Sequence, residues 1–133
     1  MVGGLLHWPA MALKAHAARL RVHEVACEFA ADAVRLARTF RGPGRFERGD
    51  QLVRAALSIC SNIAEACGRG TVPEFRQFLL YARGSAREAA TQLHVAAVLD
   101  AAQHRKINAL EARVILIAKM LGRLHANPPP DRQ

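Results

Sequence analysis

Four polar side chains, Ser61, Asn62, Glu65 and Arg69, sit beside an apolar stripe in the stretch from Gln51 to Arg69. Leu52, Ala56, Ile59 and Ile63 recur at helical spacing and so face an interior. Polar groups this close to the stripe need hydrogen-bond partners once they lose water. Asn62, Glu65 and Arg69, together with Ser85, Glu88, Thr91 and Gln92 further along, are therefore expected to form a buried polar network that fixes helix register. A ligand site or subunit contact built from the same residues is the alternative. Glu65 and Arg69 also stand four apart, the spacing of an ion pair along one helix face.

Signals for catalysis are missing from the pattern. Carboxylate-bridged di-metal chemistry in a helical bundle needs Glu-x-x-His pairs on two helices, and no Glu-x-x-His occurs in the sequence. His23-Glu24 has no second histidine at metalloprotease spacing. Ser61 falls mid-helix rather than on a strand-to-helix elbow, where a nucleophilic serine is exposed. Gly68-Arg69-Gly70 has neither the spacing nor the lysine of a phosphate-binding loop. Cys27, Cys60 and Cys67 lie in helical patterns without a Cys-x-x-Cys pair, and they read as buried thiols of a reducing, cytoplasmic compartment. The sequence thus predicts a protein that is not an enzyme and needs no metal or cofactor.

Arginine supplies the one functional surface the residues argue for. Nineteen Lys and Arg against eleven Asp and Glu leave a formal charge of +8, and the basic residues are almost all arginine. Guanidinium groups bind phosphate oxygens bidentately, so this balance favours polyanion partners such as RNA or DNA. Arg41, Arg45 and Arg48 cluster with Arg35 and Arg38 around the first inter-helix loop. Arg76, Arg83 and Arg87 fall at spacings of seven and four on one helix face. These six are the candidate nucleic-acid contacts, through the sugar-phosphate backbone and without sequence preference. The competing reading is a solvated face that only keeps the protein soluble. Tyr81 and Trp8 are the only large stacking side chains beyond the phenylalanines, which gives base stacking little support.

The elements that position these residues are helices. The chain is 51% hydrophobic but only 5% aromatic, and its abundant alanine has the best helix propensity and lets backbones approach. Val22, Val25, Phe29, Ala33, Leu36 and Phe40 mark a first helix from about Arg19 to Phe40, closed by Arg41-Gly42-Pro43-Gly44. A second runs from Phe46 or Glu47 to Gly68. Thr71-Val72-Pro73-Glu74 is a capping box opening a third helix, in which the Thr71 hydroxyl caps a backbone N–H and Glu74 reaches back to the Thr71 amide. That helix continues to Leu99, and Gly84-Ser85-Ala86 within it predicts close approach of a neighbouring helix. Ile107, Leu110, Val114, Ile117, Leu121 and Leu124 alternate threes and fours along a fourth. Short loops force antiparallel neighbours. The expected fold is all-α, an antiparallel up-down-up-down four-helix bundle over residues 19–126. It is preceded by an N-terminal extension (1–18) that is poorly ordered or lengthens the first helix, and followed by a disordered proline-rich tail (127–133). Neither a membrane span nor a signal peptide is expected.

Ser61-Asn62-Ile63-Ala64-Glu65 in the second helix resembles a family of short bacterial four-helix-bundle proteins. Its founders are encoded by intervening sequences in 23S ribosomal RNA genes, and accessory variability determinant proteins of diversity-generating retroelements resemble distant relatives. Glu74-Phe75, Phe78-Leu79, Gly84-Ser85-Ala86, Glu88 and Thr91-Gln92-Leu93 match the family's third-helix pattern. The resemblance covers roughly Leu20 to Leu124. The chain departs from it at His23, where the family has Trp, and at Ala66-Cys67, where it has Gly and an aromatic residue. The resemblance implies a non-enzymatic ring-shaped homopentamer and, through the retroelement relatives, nucleic acid and a reverse transcriptase as partners. A protein–protein interaction module without a nucleic-acid role is the alternative.

Overall fold

The computed structural model describes residues 10–129. Four α-helices follow one another: α1 (Ala10–Ala37), α2 (Arg45–Gly68), α3 (Val72–Leu99) and α4 (His104–Ala126), with one 3-10 turn at Ala101–Gln103 before α4. Each helix packs against its neighbours in sequence, and α1 packs against α4 to close the ring. The result is the all-α up-down bundle expected from the periodicity. The first helix starts earlier than Arg19, taking in residues 10–18 of the expected extension. The rest of that extension, with Trp8, and the tail from residue 130 lie outside the described residues.

One core runs the length of the bundle. Val22, Phe29, Leu36, Leu52, Ile59, Ile63, Leu79 and Leu93 are at most 1% exposed, as are Ile107, Ile117 and Leu121. Alanines fill the gaps: Ala26, Ala33, Ala56, Ala82, Ala86 and Ala89 are likewise sealed from solvent. Small residues at these positions let the helix axes come close, and packing density then does what bulky aromatics do elsewhere. His23, in place of a large aromatic anchor, leaves α1 packed regardless, since Val22 and Ala26 beside it are fully buried.

The ends of the helices follow local chemistry. α1 stops three residues short of Phe40 because the Thr39 hydroxyl donates to the Leu36 carbonyl at 2.7 Å and the Thr39 amide donates to it at 2.9 Å. Phe40 nonetheless reaches back into the core at 7% exposure. Gly42 and Gly44 then take φ of 83° and 69°, left-handed values that L side chains resist. At α3 the Glu74 amide donates to the Thr71 hydroxyl at 3.4 Å, an arrangement worth about 1 kcal/mol in typical helices. The Glu74 carboxylate accepts from that hydroxyl at 2.9 Å, not from the Thr71 amide, so only half of the capping box forms.

Gly84 corrects an expectation. A side chain there would meet nothing within 4 Å, so no helix crosses it closely. The close approach occurs at Gly49, buried in α2, where an added Cβ would sit 3.4 Å from the Ala37 carbonyl oxygen and 3.5 Å from the Ala37 Cβ.

Candidate nucleic-acid interface

The six arginines picked out by the sequence divide into two kinds. Arg48 is a loop clamp: its Nη2 donates to the Arg41 carbonyl at 2.7 Å and its Nε to the Pro43 carbonyl at 3.1 Å, while its guanidinium lies 5.2 Å from the Phe40 ring centroid. Arg41 crosses to the far end of α3 and bonds both carboxylate oxygens of Asp100, at 3.1 and 3.4 Å. Arg76 donates through Nε to the His125 carbonyl at 2.9 Å and so caps the last turn of α4. These three hold the bundle's ends together, a role that spacing does not reveal because the acceptors are loop carbonyls for Arg48 and groups distant in sequence for Arg41 and Arg76.

Of the remaining three, Arg45 and Arg87 present charge outward and Arg83 borders a groove. Arg45 is exposed, its guanidinium 4.8 Å from the ring of Phe46, which is itself 71% exposed. Arg87 is exposed on α3 and forms no ion pair among the described residues. Arg83 is half-buried and lies along a groove between α3 and α4 of about 230 Å³. Arg38 and Arg54, exposed and without an ion pair among the described residues, extend the basic surface.

The polar set also splits. Ser58, which is absent from the sequence-predicted set, is its hub. Asn62 donates to the Ser58 carbonyl at 2.9 Å and to its hydroxyl at 3.1 Å, and Ser85 donates to the same hydroxyl at 2.8 Å from across the helix pair. Gln92 donates to Gln51 at 2.8 Å in a second α3–α2 contact. The i, i+4 spacing of Ser58 and Asn62 was the available signal. Glu65 and Arg69 belong to a separate cluster at the α2–α3 loop: Arg69 bonds Glu65 at 3.0 Å, approaches Glu74 at 3.7 Å and stacks 4.5 Å from the Phe78 ring centroid. Thr91 bonds its own helix at the Arg87 carbonyl. Glu88 is exposed and joins neither cluster. The contacts are half-buried or exposed rather than sealed in the core, because the core face is filled by alanine and leucine.

Two carboxylates carry cross-helix pairing. Asp32 on α1 accepts from Arg113 of α4 and from Arg35. The Arg113 hydrogen bond, reinforced by charge, holds Asp32 below its ordinary 3.8. Asp100 is held below 3.8 chiefly by its hydrogen bond from Gln103, with Arg41 adding to it. Folded-state values lowered in this way contribute stability that is complete above the unfolded value and lost as pH falls through the folded one. The urea midpoint is therefore expected to fall steeply only below about pH 4. An Asp32→Asn, Asp100→Asn double variant should show a shallower fall than the parent, measured by circular dichroism at successive pH values.

The cysteines are not the sealed thiols expected. Cys27 is exposed, and its Sγ lies 3.8 Å from His23 Nε2, whereas Cys60 and Cys67 are half-buried. Burial, with Cys27 alongside, pushes the Cys60 thiol up to about 12, so it stays protonated and inert at neutral pH. No group of three or more metal-ligating side chains converges among the described residues, and no described helix is long and apolar enough to cross a membrane.

A closed bundle of four sequentially packed helices with basic outer faces is the class of protein this geometry defines. Residues 18–123 match the family model of the 23S rRNA-intervening sequence protein, and the chain belongs to that family. Among solved structures, the fold is similar to that of a protein of unknown function from the S23 ribosomal protein family of Bacteroides thetaiotaomicron. That match has 22% sequence identity, a TM-score of 0.75, and coverage of 82% of this chain and 98% of the other. No curated protein matches the sequence significantly.

Proposed function

We propose that the protein is a non-enzymatic, homo-oligomeric accessory scaffold that binds nucleic acid, RNA foremost, through its arginine surface. The observation that carries this reading is the set of exposed arginines left over after the internal ion pairs are made. Arg35, Arg41, Arg69 and Arg113 engage Asp32, Asp100, Glu65 and Glu74. Arg38, Arg45, Arg54 and Arg87 engage no carboxylate among the described residues. Self-association is supported by the large apolar side chains that the single chain leaves in water, among them Phe46 and Val98 at 71% and 72% exposure, Leu57 at 50% and Leu116 at 51%. Faces of this kind mark contacts with other proteins. A pentameric ring, cytoplasmic and paired with a reverse transcriptase in a retroelement setting, is the fullest form of the proposal. In such a ring many modest phosphate contacts sum to useful affinity.

Light scattering on protein freed of nucleic acid, with and without structured RNA across a salt series, tests it. A pentamer that shifts with RNA is expected, with affinity falling about a thousandfold between roughly 50 and 200 mM salt if some six phosphates are contacted. An Arg45→Glu, Arg87→Glu variant should keep the oligomer and lose the RNA; Arg76 is left intact because it caps α4. A monomer indifferent to RNA at low salt overturns the reading.

A further inference from the structure

The groove between α3 and α4 has a floor of small residues, Ala86, Ala90, Ala118 and Gly122, and basic side chains on its walls. Arg83 and Arg87 come from α3 and Lys119 from α4, and no acidic residue lines it. The larger groove between α1 and α2, about 590 Å³, is lined by Asp50 as well as by Arg38 and Arg45. An anion in the α3–α4 groove meets no such opposing charge. The Arg83 Nε is buried and has no hydrogen-bond partner among the described residues, although buried donors are almost always satisfied. Its guanidinium carbon lies 3.9 Å from where a Cβ on Gly122 would stand. A small residue at 122 therefore leaves room beneath the charged group, whereas a long side chain would fill it.

We infer that this groove seats a single backbone phosphodiester of bound RNA. Lys119 and Arg87 grip the phosphate oxygens from opposite walls, and Arg83 adds charge from below. Arginine matches the planar spacing of two phosphate oxygens, whereas Lys119 acts as a point charge. The inference rests on the nucleic-acid reading above and deepens it by naming where one phosphate sits. Lys119, absent from the sequence-based set, becomes a binding residue because α4 folds back beside α3.

The test separates local seating from general attraction. A fluorescent oligouridine of about 20 nucleotides is titrated into the full chain across a salt series, and the slope of log affinity against log salt is read. Arg87→Gln with Lys119→Gln removes two charges at the groove, and Arg21→Gln with Arg105→Gln removes two exposed charges elsewhere. The groove pair is expected to lower affinity at least tenfold more than the control pair and to flatten the slope by about one to two contacts. Gly122→Leu, which fills the groove without changing charge, is expected to weaken binding tenfold in protein whose helical content and urea midpoint match the parent. If the groove and control pairs weaken binding equally, or if a folded Gly122→Leu binds as the parent does, the groove assignment falls while RNA binding stands. A parent protein that fails to bind at about 50 mM salt overturns both.

Discussion

Replacing Phe29 with alanine is expected to cost the bundle about 3–5 kcal/mol. Phe29 is fully buried midway along α1, among the largest sealed side chains of the core. Many of its companions in that core are alanines of α1, α2 and α3. Alanine has no rotamer with which to move into a void, so relaxation would require the helix axes themselves to shift. The cavity therefore stays open, and its cost adds to the lost transfer energy of the ring. Against a typical total stability of about 5–15 kcal/mol, that loss leaves a marginal protein. Phe29→Leu, which keeps most of the volume, is expected to lose less than about 1.5 kcal/mol. Urea unfolding followed by circular dichroism measures both. A cost below about 1 kcal/mol for the alanine variant would show that the bundle collapses around the site and that its alanine packing is not rigid.

How far such features can be read from the chain depends on the reach of the interaction. The α4 seam from Ile107 to Leu124 is legible because its spacing is set by one helix, and every position in it is buried. Thr71 is legible for the same reason, since a cap involves residues three apart. The Thr39 hydrogen bonds that end α1 early are equally local, but the apolar Phe40 concealed them by continuing the stripe. Arginine is the opposite case. Arg48, Arg41 and Arg76 look like surface charge in the sequence, yet their acceptors are the carbonyls of residues 41, 43 and 125 and the carboxylate of Asp100. Only Arg48's partners are near it in sequence. A long side chain with five donors takes whatever acceptor the tertiary fold brings near. Ser58 carries only the local signal of its i, i+4 spacing to Asn62, and its place as a hub appears when α3 brings Ser85 across from it. The α3–α4 groove needs two helices to exist, so Lys119 could not be joined to Arg83 and Arg87 before the chain was folded.

Gly49 in α2 and Gly84 in α3 should respond oppositely to the same change. Valine at Gly49 is expected to destabilise by about 1–3 kcal/mol, through overpacking. Its Cβ would already touch the Ala37 carbonyl oxygen at 3.4 Å and the Ala37 methyl at 3.5 Å. The two γ-carbons of valine are restricted to essentially one rotamer in a helix and cannot both turn away. The strain falls on the α1–α2 contact, next to the turn that Arg48 clamps, so α1 must move or the helix must bend. Valine at Gly84 meets open space instead and gains the modest propensity difference between valine and glycine, while alanine there should stabilise by about 1 kcal/mol. Comparing the same substitution at the two sites cancels its intrinsic helix preference and leaves the cost of close approach alone. Matched urea midpoints for the two valine variants would mean that α1 and α2 do not touch at Gly49. A Gly84→Ala variant of the assembled protein that loses its self-association while the single chain gains stability would instead show that another subunit covers that face of α3.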